Sequence, residues 1–238
     1  MNKQQLLRGL ALLALPLSMA FQAPSHAQDF PPKKSITMVV GFAAGGAADT
    51  GARIIAKKLG ENIGASVVID NRPGAGGNIA HAYTATGPAD GSVILFGSVG
   101  PLTIAPHMMK LPYDPVKDLA PLTMGVNFPN VLVVGAHTGI KTFADFVAYA
   151  KKNPGKLDFA STGPGSASHL AGELLNDMAH IDTIHVPYKG GAPAQQDLMG
   201  GLVDIFMTPF GKSHGQLVDD GKLKVVGVLS SEIGRAHV

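Results

Sequence analysis

Three stretches of this chain pair very small side chains with a following helix signal, and that combination can hold an anion. Ala43–Ala48 (AAGGAA) leads into Asp49, Ser98-Val99-Gly100 precedes a helical pattern, and Ser161–Ser168 (STGPGSAS) opens another. Such loops leave backbone N–H groups bare, and each helix start adds the positive end of its dipole. One end contributes about 0.3–1 kcal/mol toward an anion, up to about 2 when partly buried. Two or three converging ends, with hydrogen bonds to the charge, reach micromolar affinity, about −8 kcal/mol. No arginine is then required. Arg72, in the glycine-rich stretch Asn71–Asn78 (NRPGAGGN), either reaches the same anion or pairs with Asp49 or Asp70. Tyr188 or Lys189, ahead of Gly190-Gly191, could line the same space.

Covalent and metal chemistry fit the spacing less well. GFAAGGAAD (Gly41–Asp49) does not match G-x-G-x-x-G. Gly139-Ile140-Lys141-Thr142 lacks the glycine that a phosphate loop places before its lysine. Ser98 has Gly100 after it but Phe96 before it, so it is not a nucleophile elbow. Ser166 and Ser168 near His169 invite a nucleophile–base reading. Adjacent helical side chains diverge by about 100°, however, so Ser168 and His169 do not pair directly. An exported serine hydrolase using Ser161–Ser168 is the competing reading, and a ligand-free structural domain is a third. His169 on its own reads as a helix-packing or loop-pinning residue. The nine histidines include no H-E-x-x-H, and there is no cysteine. Neither a metal nor a cofactor is expected.

These loops need strands and helices to aim them. Apolar runs at Ile36–Phe42, Ser66–Ile69 and Val93–Gly97 read as strands, with helices over Asp49–Asn62, Asn78–Thr86 and Pro101–Met109. Asp49 is the expected N-cap of the first helix. After the proline-rich Leu111–Pro121, Leu122–Val126 and Asn130–Gly135 look like strands. The second half repeats the pattern. Its helices are expected at Thr142–Lys152, capped by Thr142, and at Ala167–Ala179, Ala192–Gly200 and Gly211–Asp220. Its strands are expected at Leu157–Ala160, Thr183–Val186, Val203–Met207 and Lys224–Leu229. Repeated strand–loop–helix units predict an α/β fold with parallel, doubly wound sheets, whose ligands bind beyond the carboxyl ends of the strands.

Composition agrees with export. Residues 1–27 read as a signal peptide: Lys3 and Arg8, an apolar Gly9–Phe21, and Ser25-His26-Ala27 as a cleavage pattern placing the mature start at Gln28. Of 19 basic and 17 acidic residues, Lys3 and Arg8 are the only charges before Asp29, so the mature chain is formally neutral. A neutral chain carries no electrostatic footprint for nucleic acid. The expected divisions are 28–124 for a first domain, 125–222 for a second, and 223–231 for a strand returning to the first. Glu232–Val238 (EIGRAHV) matches one translation of a common sequencing adapter, so the natural chain is expected to continue past Ser231.

Five motifs in order then carry a resemblance: Ile36–Asp49, Ile69–Ala80 (IDNRPGAGGNIA), Leu111–Pro121 (LPYDPVKDLAP), Asn153–Leu174 and His185–Ala194 (HVPYKGGAPA). Together they resemble the substrate-binding proteins of tripartite tricarboxylate transporters, the Bug family of extracytoplasmic solute receptors. The resemblance implies a monomeric periplasmic receptor with a two-domain periplasmic-binding-protein-like fold, each domain a mostly parallel sheet flanked by helices. It implies closure on a small carboxylate, about crossings near Leu122–Val126 and Lys224–Leu229, and delivery to integral-membrane transporter subunits. Carried over by position, Phe42, Ala43, Ala44, Gly45 and Gly46 form the first ligand loop, with Ser98 and Gly100 beside it. Ser161, Thr162, Gly165, Ser166 and His169 form the opposite wall. The family commonly has prolines where this chain has Gly41 and Ala44, and an aspartate where it has Thr208. Thr208 cannot pair with a ligand amino group as a carboxylate would, which argues against an amino-acid ligand.

Overall fold

The structure, a computed structural model, describes residues 35–128 and 130–229. The expected signal peptide and the 232–238 tail lie outside those residues. Two sheets make up the fold. The first has three parallel strands, β1 (Ile36–Val40), β2 (Val67–Asn71) and β3 (Val93–Phe96), in the order β2-β1-β3. β1 is the apolar centre, and Met38 and Val40 pack against Ala52 and Ala56 of α1 (Ala47–Ile63). The helix begins two residues earlier than expected. Gly46 is its N-cap, and Asp49 sits in the first turn, where its carboxylate accepts from the Gly45 amide at 3.0 Å. α2 (Asn78–Ala85) connects β2 to β3.

Beyond β3, a wide turn over Gly100–Ile104 runs into the short α3 (Ala105–Met108). A regular helix was expected over Pro101–Met109. Pro106 has no N–H to donate, so an unbroken hydrogen-bond ladder cannot pass through it. The Tyr113 hydroxyl staples this region, donating to Asn78 Oδ1 at 2.7 Å, with the Pro101 carbonyl at 3.1 Å. Leu122–Val126, expected as a strand, is irregular. It pairs with no strand among the described residues, and Leu122 and Met124 are each 82% exposed. β-forming side chains do not make a strand where no sheet edge meets them.

The second sheet has the order β6-β5-β7-β4-β8, built from β4 (Asn130–Gly135), β5 (Asp158–Ser161), β6 (Ile184–Pro187), β7 (Ile205–Pro209) and β8 (Leu223–Val228). β5 pairs in parallel with β6 and β7, whereas β4 runs antiparallel to both β7 and β8. The larger sheet is therefore mixed. β8, expected to lead back to the first half, is an edge strand of this sheet, and the chain past Leu229 lies outside the described residues. Alternation along β4 sends Leu132 and Val134 to one core, with Phe146, Phe159 and Met207. Val131 and Val133 go to the other, with Leu198, Phe206 and Leu223. Helices α4 (Phe143–Lys152), α5 (Ala167–Ala179), α6 (Gly191–Gly200) and α7 (Lys212–Asp219) flank it. α4 starts on a capping box, with the Thr142 hydroxyl accepting from the Asp145 amide and the Asp145 carboxylate accepting from the Thr142 amide. Among the described residues no helix is long and apolar enough to cross a membrane.

α5 approaches β5 at Gly172, where a Cβ would overlap the ring of the fully buried Phe159. Gly→Ala inside a helix ordinarily gains up to about 1 kcal/mol, whereas overpacking a core loses about 1–3. Gly172→Ala is expected to lower stability by about 1–2 kcal/mol, read from the midpoint of urea unfolding. A rise would show that Phe159 has room to move.

Candidate functional site

Small-residue turns from both sheets meet at one place. Each follows the carboxyl end of a strand: Ala43–Gly46 after β1, Gly74–Gly77 after β2, Ser98–Gly100 after β3, Gly163–Ser166 after β5 and Lys189–Ala192 after β6. The Ala43 amide donates to the Lys189 carbonyl across the junction at 3.0 Å. A Cβ placed on Gly46 would lie 3.6 Å from both the Gly191 and the Ala192 nitrogens. That distance brings the starts of α1 and α6 face to face. Neither N-cap, Gly46 or Gly190, offers a side chain to the first-turn amides. Two helix ends of positive sign therefore lie close together, an arrangement that an anion beside them would relieve.

Buried side chains fix the first-half loops from behind. Asp49 accepts from the Gly45 amide, from Arg53 Nε at 2.9 Å and from Asn71 Nδ2 at 3.0 Å, and Asn71 Nδ2 also reaches the Phe42 carbonyl. Burial pushes the Asp49 carboxyl up, but the Arg53, Gly45 and Asn71 bonds outweigh it and hold the pKa below the ordinary carboxylate value. Arg53 balances the charge of Asp49, which leaves the helix end free to act on a guest. His81, completely buried, places Nδ1 2.9 Å from the Gly77 carbonyl, and its Nε2 accepts from the Ser98 amide at 3.3 Å. Both contacts suit a neutral ring protonated on Nδ1. Burial lowers its pKa despite the Gly77 carbonyl. The Ser98 hydroxyl is buried without a partner, beside Gly77.

The expected opposite wall is more self-contained. Ser166 caps α5 by accepting from the His169 amide at 3.3 Å, and its Oγ lies 3.1 Å from Ser168 Oγ. Ser168 Oγ accepts from the Thr162 amide at 2.9 Å and meets Thr162 Oγ1 at 3.1 Å. His169 Nδ1 accepts from the Gly165 amide at 3.3 Å, a loop-pinning role. Ser161 Oγ accepts from the Gly163 amide at 3.0 Å and lies 2.6 Å from His185 Nε2. His185 is stacked between Phe159 and His169, with ring centroids 4.9 and 4.2 Å away. Burial, then the neighbouring His169, lowers its pKa to about 4. The Ser161–His185 contact resembles a nucleophile and its base, yet Ser161 is wholly buried and its oxygen already accepts from the Gly163 amide. The hydroxyls of this loop hold the loop itself.

The remaining candidates have these surroundings. Arg72 pairs with Asp70 at 2.7 Å and stacks 3.5 Å over the Tyr83 ring. The Tyr188 hydroxyl donates to Asp197 at 2.7 Å. Thr208 is buried at the end of β7, opposite Val131 of β4. Phe42 lies near Gly77, and Gly100 is packed against Gly165 and Ser166. Among the described residues no three His, Asp or Glu side chains converge as a metal site would need. The uncapped amides of Gly191 and Ala192 were not singled out from sequence, although the Gly190-Gly191 pair before a helix is the signal for them.

Two buried histidines, His81 and His214, and the half-buried His185 have lowered pKa values. In the unfolded chain they take up protons near pH 6.5, but folded His185 does so only at about 4. Between those values the unfolded state binds more protons, so stability is full above pH 6.5 and falls as pH drops toward 4. His185→Gln is expected to flatten this dependence by up to about 1.4 kcal/mol per pH unit, measured by urea unfolding from pH 7.5 to 4.5. An unchanged slope would mean His185 is protonated in the fold.

Comparison with known proteins gives a consistent answer. The family model for tripartite tricarboxylate transporter family receptors matches residues 51–236. A UPF0065 protein from the tcbD-tcbE intergenic region of Pseudomonas sp. strain P51 is 38% identical over 94% of this chain and 66% of its own length. Protein BugT of Bordetella pertussis is 35% identical over 94% of this chain and 69% of its own. The chain thus spans about two thirds of the curated relatives it matches. Among solved structures, a protein of R. palustris with adipate superimposes with a TM-score of 0.79 at 34% identity, covering 86% of this chain and 68% of that one. MatC of Rhodopseudomonas palustris with bound malate gives 0.79 at 32%, covering 84% and 68%. The periplasmic binding protein BugD gives 0.76 at 33%, covering 85% and 67%. Loop geometry and family match agree, and the chain belongs to the tripartite tricarboxylate transporter receptor family.

Proposed function

We propose that this chain is a non-enzymatic periplasmic receptor that captures a small carboxylate between its two halves, dividing near residue 125. It then delivers the carboxylate to membrane subunits of a tripartite tricarboxylate-type transporter. The observation that carries this reading is the pair of uncapped helix starts, at Gly46 and Gly190, brought close together from the two halves. A carboxylate oxygen there accepts from main-chain amides of both halves. Ligand that touches both halves favours the closed arrangement, which is the differential interaction a receptor of this kind needs. The adipate and malate carried by related solved proteins are of the same chemical class. The Ser161–His185 contact favours the hydrolase alternative, but Ser161 exposes no oxygen to a substrate.

Titration with adipate and malate, followed by calorimetry and thermal unfolding, tests the reading. A bound acid at one hundred times its Kd is expected to add about 2.7 kcal/mol of stability, and the neutral diamide of adipate none. p-Nitrophenyl esters should turn over no faster with the protein than with Ser161→Ala. Equal responses to acid and amide, or ester turnover lost in Ser161→Ala, would overturn the proposal.

A further inference from the structure

At four glycines the two halves touch through main chain, with Met109 and Ala105 side chains beside Gly165. A Cβ on Gly100 would lie 2.7 Å from the Gly165 carbonyl oxygen and 3.0 Å from Ser166 Cα. One on Gly163 would lie 2.8 Å from the Gly76 nitrogen, and one on Gly76 would run into the Pro164 carbonyl. One on Gly190 would lie 2.8 Å from the Ala43 nitrogen. All these neighbours belong to the opposite half, and distances under 3 Å leave no room for a methyl group. Among the described residues, the Ala43 amide to Lys189 carbonyl bond is the one hydrogen bond joining the loops of the smaller sheet to those of the larger. Gly76, Gly163 and Gly190 also have positive φ of 64°, 118° and 152°, so their own turns require glycine. Gly100 does not. It opens a helical turn with ordinary backbone angles, and the three atoms nearest to its Cβ all belong to the opposite half. Local folding therefore gives no reason for glycine at 100, whereas the approach of the opposite half does.

We propose that Gly76, Gly100, Gly163 and Gly190 form a glycine seam on which the halves close, latched by the hydrogen bond from the Ala43 amide to the Lys189 carbonyl. The proposal rests on the receptor reading for the role of closure, and goes beyond it in naming what sets the closed distance. With main chain on both sides, the halves come close enough for the α1 and α6 starts to share one guest. A single bond across the seam lets them part again.

The chain has no cysteine, so Lys57→Cys on α1 and Lys151→Cys on α4, both at exposed positions, accept one spin label each. Label-to-label distances by pulsed dipolar spectroscopy compare this double variant with the same protein carrying Gly100→Ala or Gly200→Ala. A Cβ at Gly200 meets nothing within 4 Å, so Gly200→Ala serves as the control. Gly100→Ala is expected to lengthen and broaden the distance distribution while leaving far-UV circular dichroism unchanged, and Gly200→Ala to match the parent. A folded Gly100→Ala protein with the parent's distances overturns the seam. Amide exchange on the unsubstituted chain gives a second, independent reading should Gly100→Ala fail to fold. The Ala43 amide is expected to exchange at least tenfold more slowly than in an unstructured peptide, and exchange at the peptide rate overturns the latch. Adipate and malate titrated into the same samples separate the two ideas: silence toward both counts against the receptor reading, while the distances still decide the seam.

Discussion

Two helix starts of the same polarity, brought close together with no side chain capping either, are the condition on which this architecture turns. Partial positive charges brought together in this way oppose closer approach, and the conflict is relieved by a guest of opposite sign. The rest of the first half serves that arrangement. Asp49 holds the loop through the Gly45 amide and is itself balanced by Arg53, so the carboxylate already present does not neutralise the helix end. Asn71 ties the same cluster to the Phe42 carbonyl. His81, kept neutral by burial, bridges two turns, the Gly77 carbonyl on one side and the Ser98 amide on the other.

The second half solves the same problem differently. Its serines and threonine form a chain of hydroxyls that satisfy the amides of their own loop, so the turn after β5 is stiff and its donors are largely spent. The turn after β6 contributes Gly191 and Ala192 instead, at a helix start that no side chain caps. Division of labour follows from composition. A serine-rich loop caps itself, and a glycine–glycine loop leaves its amides open.

Local signals in the sequence were enough for much of this. The bounds of Ala167–Ala179 and the Thr142 cap were readable because spacing and capping chemistry act within a few residues. The small-residue turns after β1, β3 and β5 were readable for the same reason; those after β3 and β5 touch at Gly100 and Gly165, whereas the one after β1 touches the turn after β6. Long-range features were less accessible. Leu122–Val126 has strand-forming residues, and only the absence of a neighbouring edge keeps it irregular. The antiparallel course of β4 depends on where the chain enters the larger sheet, which hydrophobic periodicity does not encode. Nor could spacing reveal that Ser161 and Ser168 turn their hydroxyls inward, since that depends on partners the loop folds back to meet. Arg72 had two plausible partners within reach, and the structure gives it Asp70 and the face of Tyr83.

Amide donors supplied by main chain belong to a conformation rather than to a residue type. A point substitution can delete a lysine or an arginine outright, but it removes an amide only by introducing proline or by bending the turn that presents it. The turns around Gly46 and Gly190 are held by contacts lying behind them, from Asp49 on one side and across the Ala43–Lys189 bond on the other. Side chains lining the remainder of the gap are thereby free to vary in size and polarity without loosening the hold on charge. A chain built this way can change which acid it prefers while the means of gripping acids stays untouched.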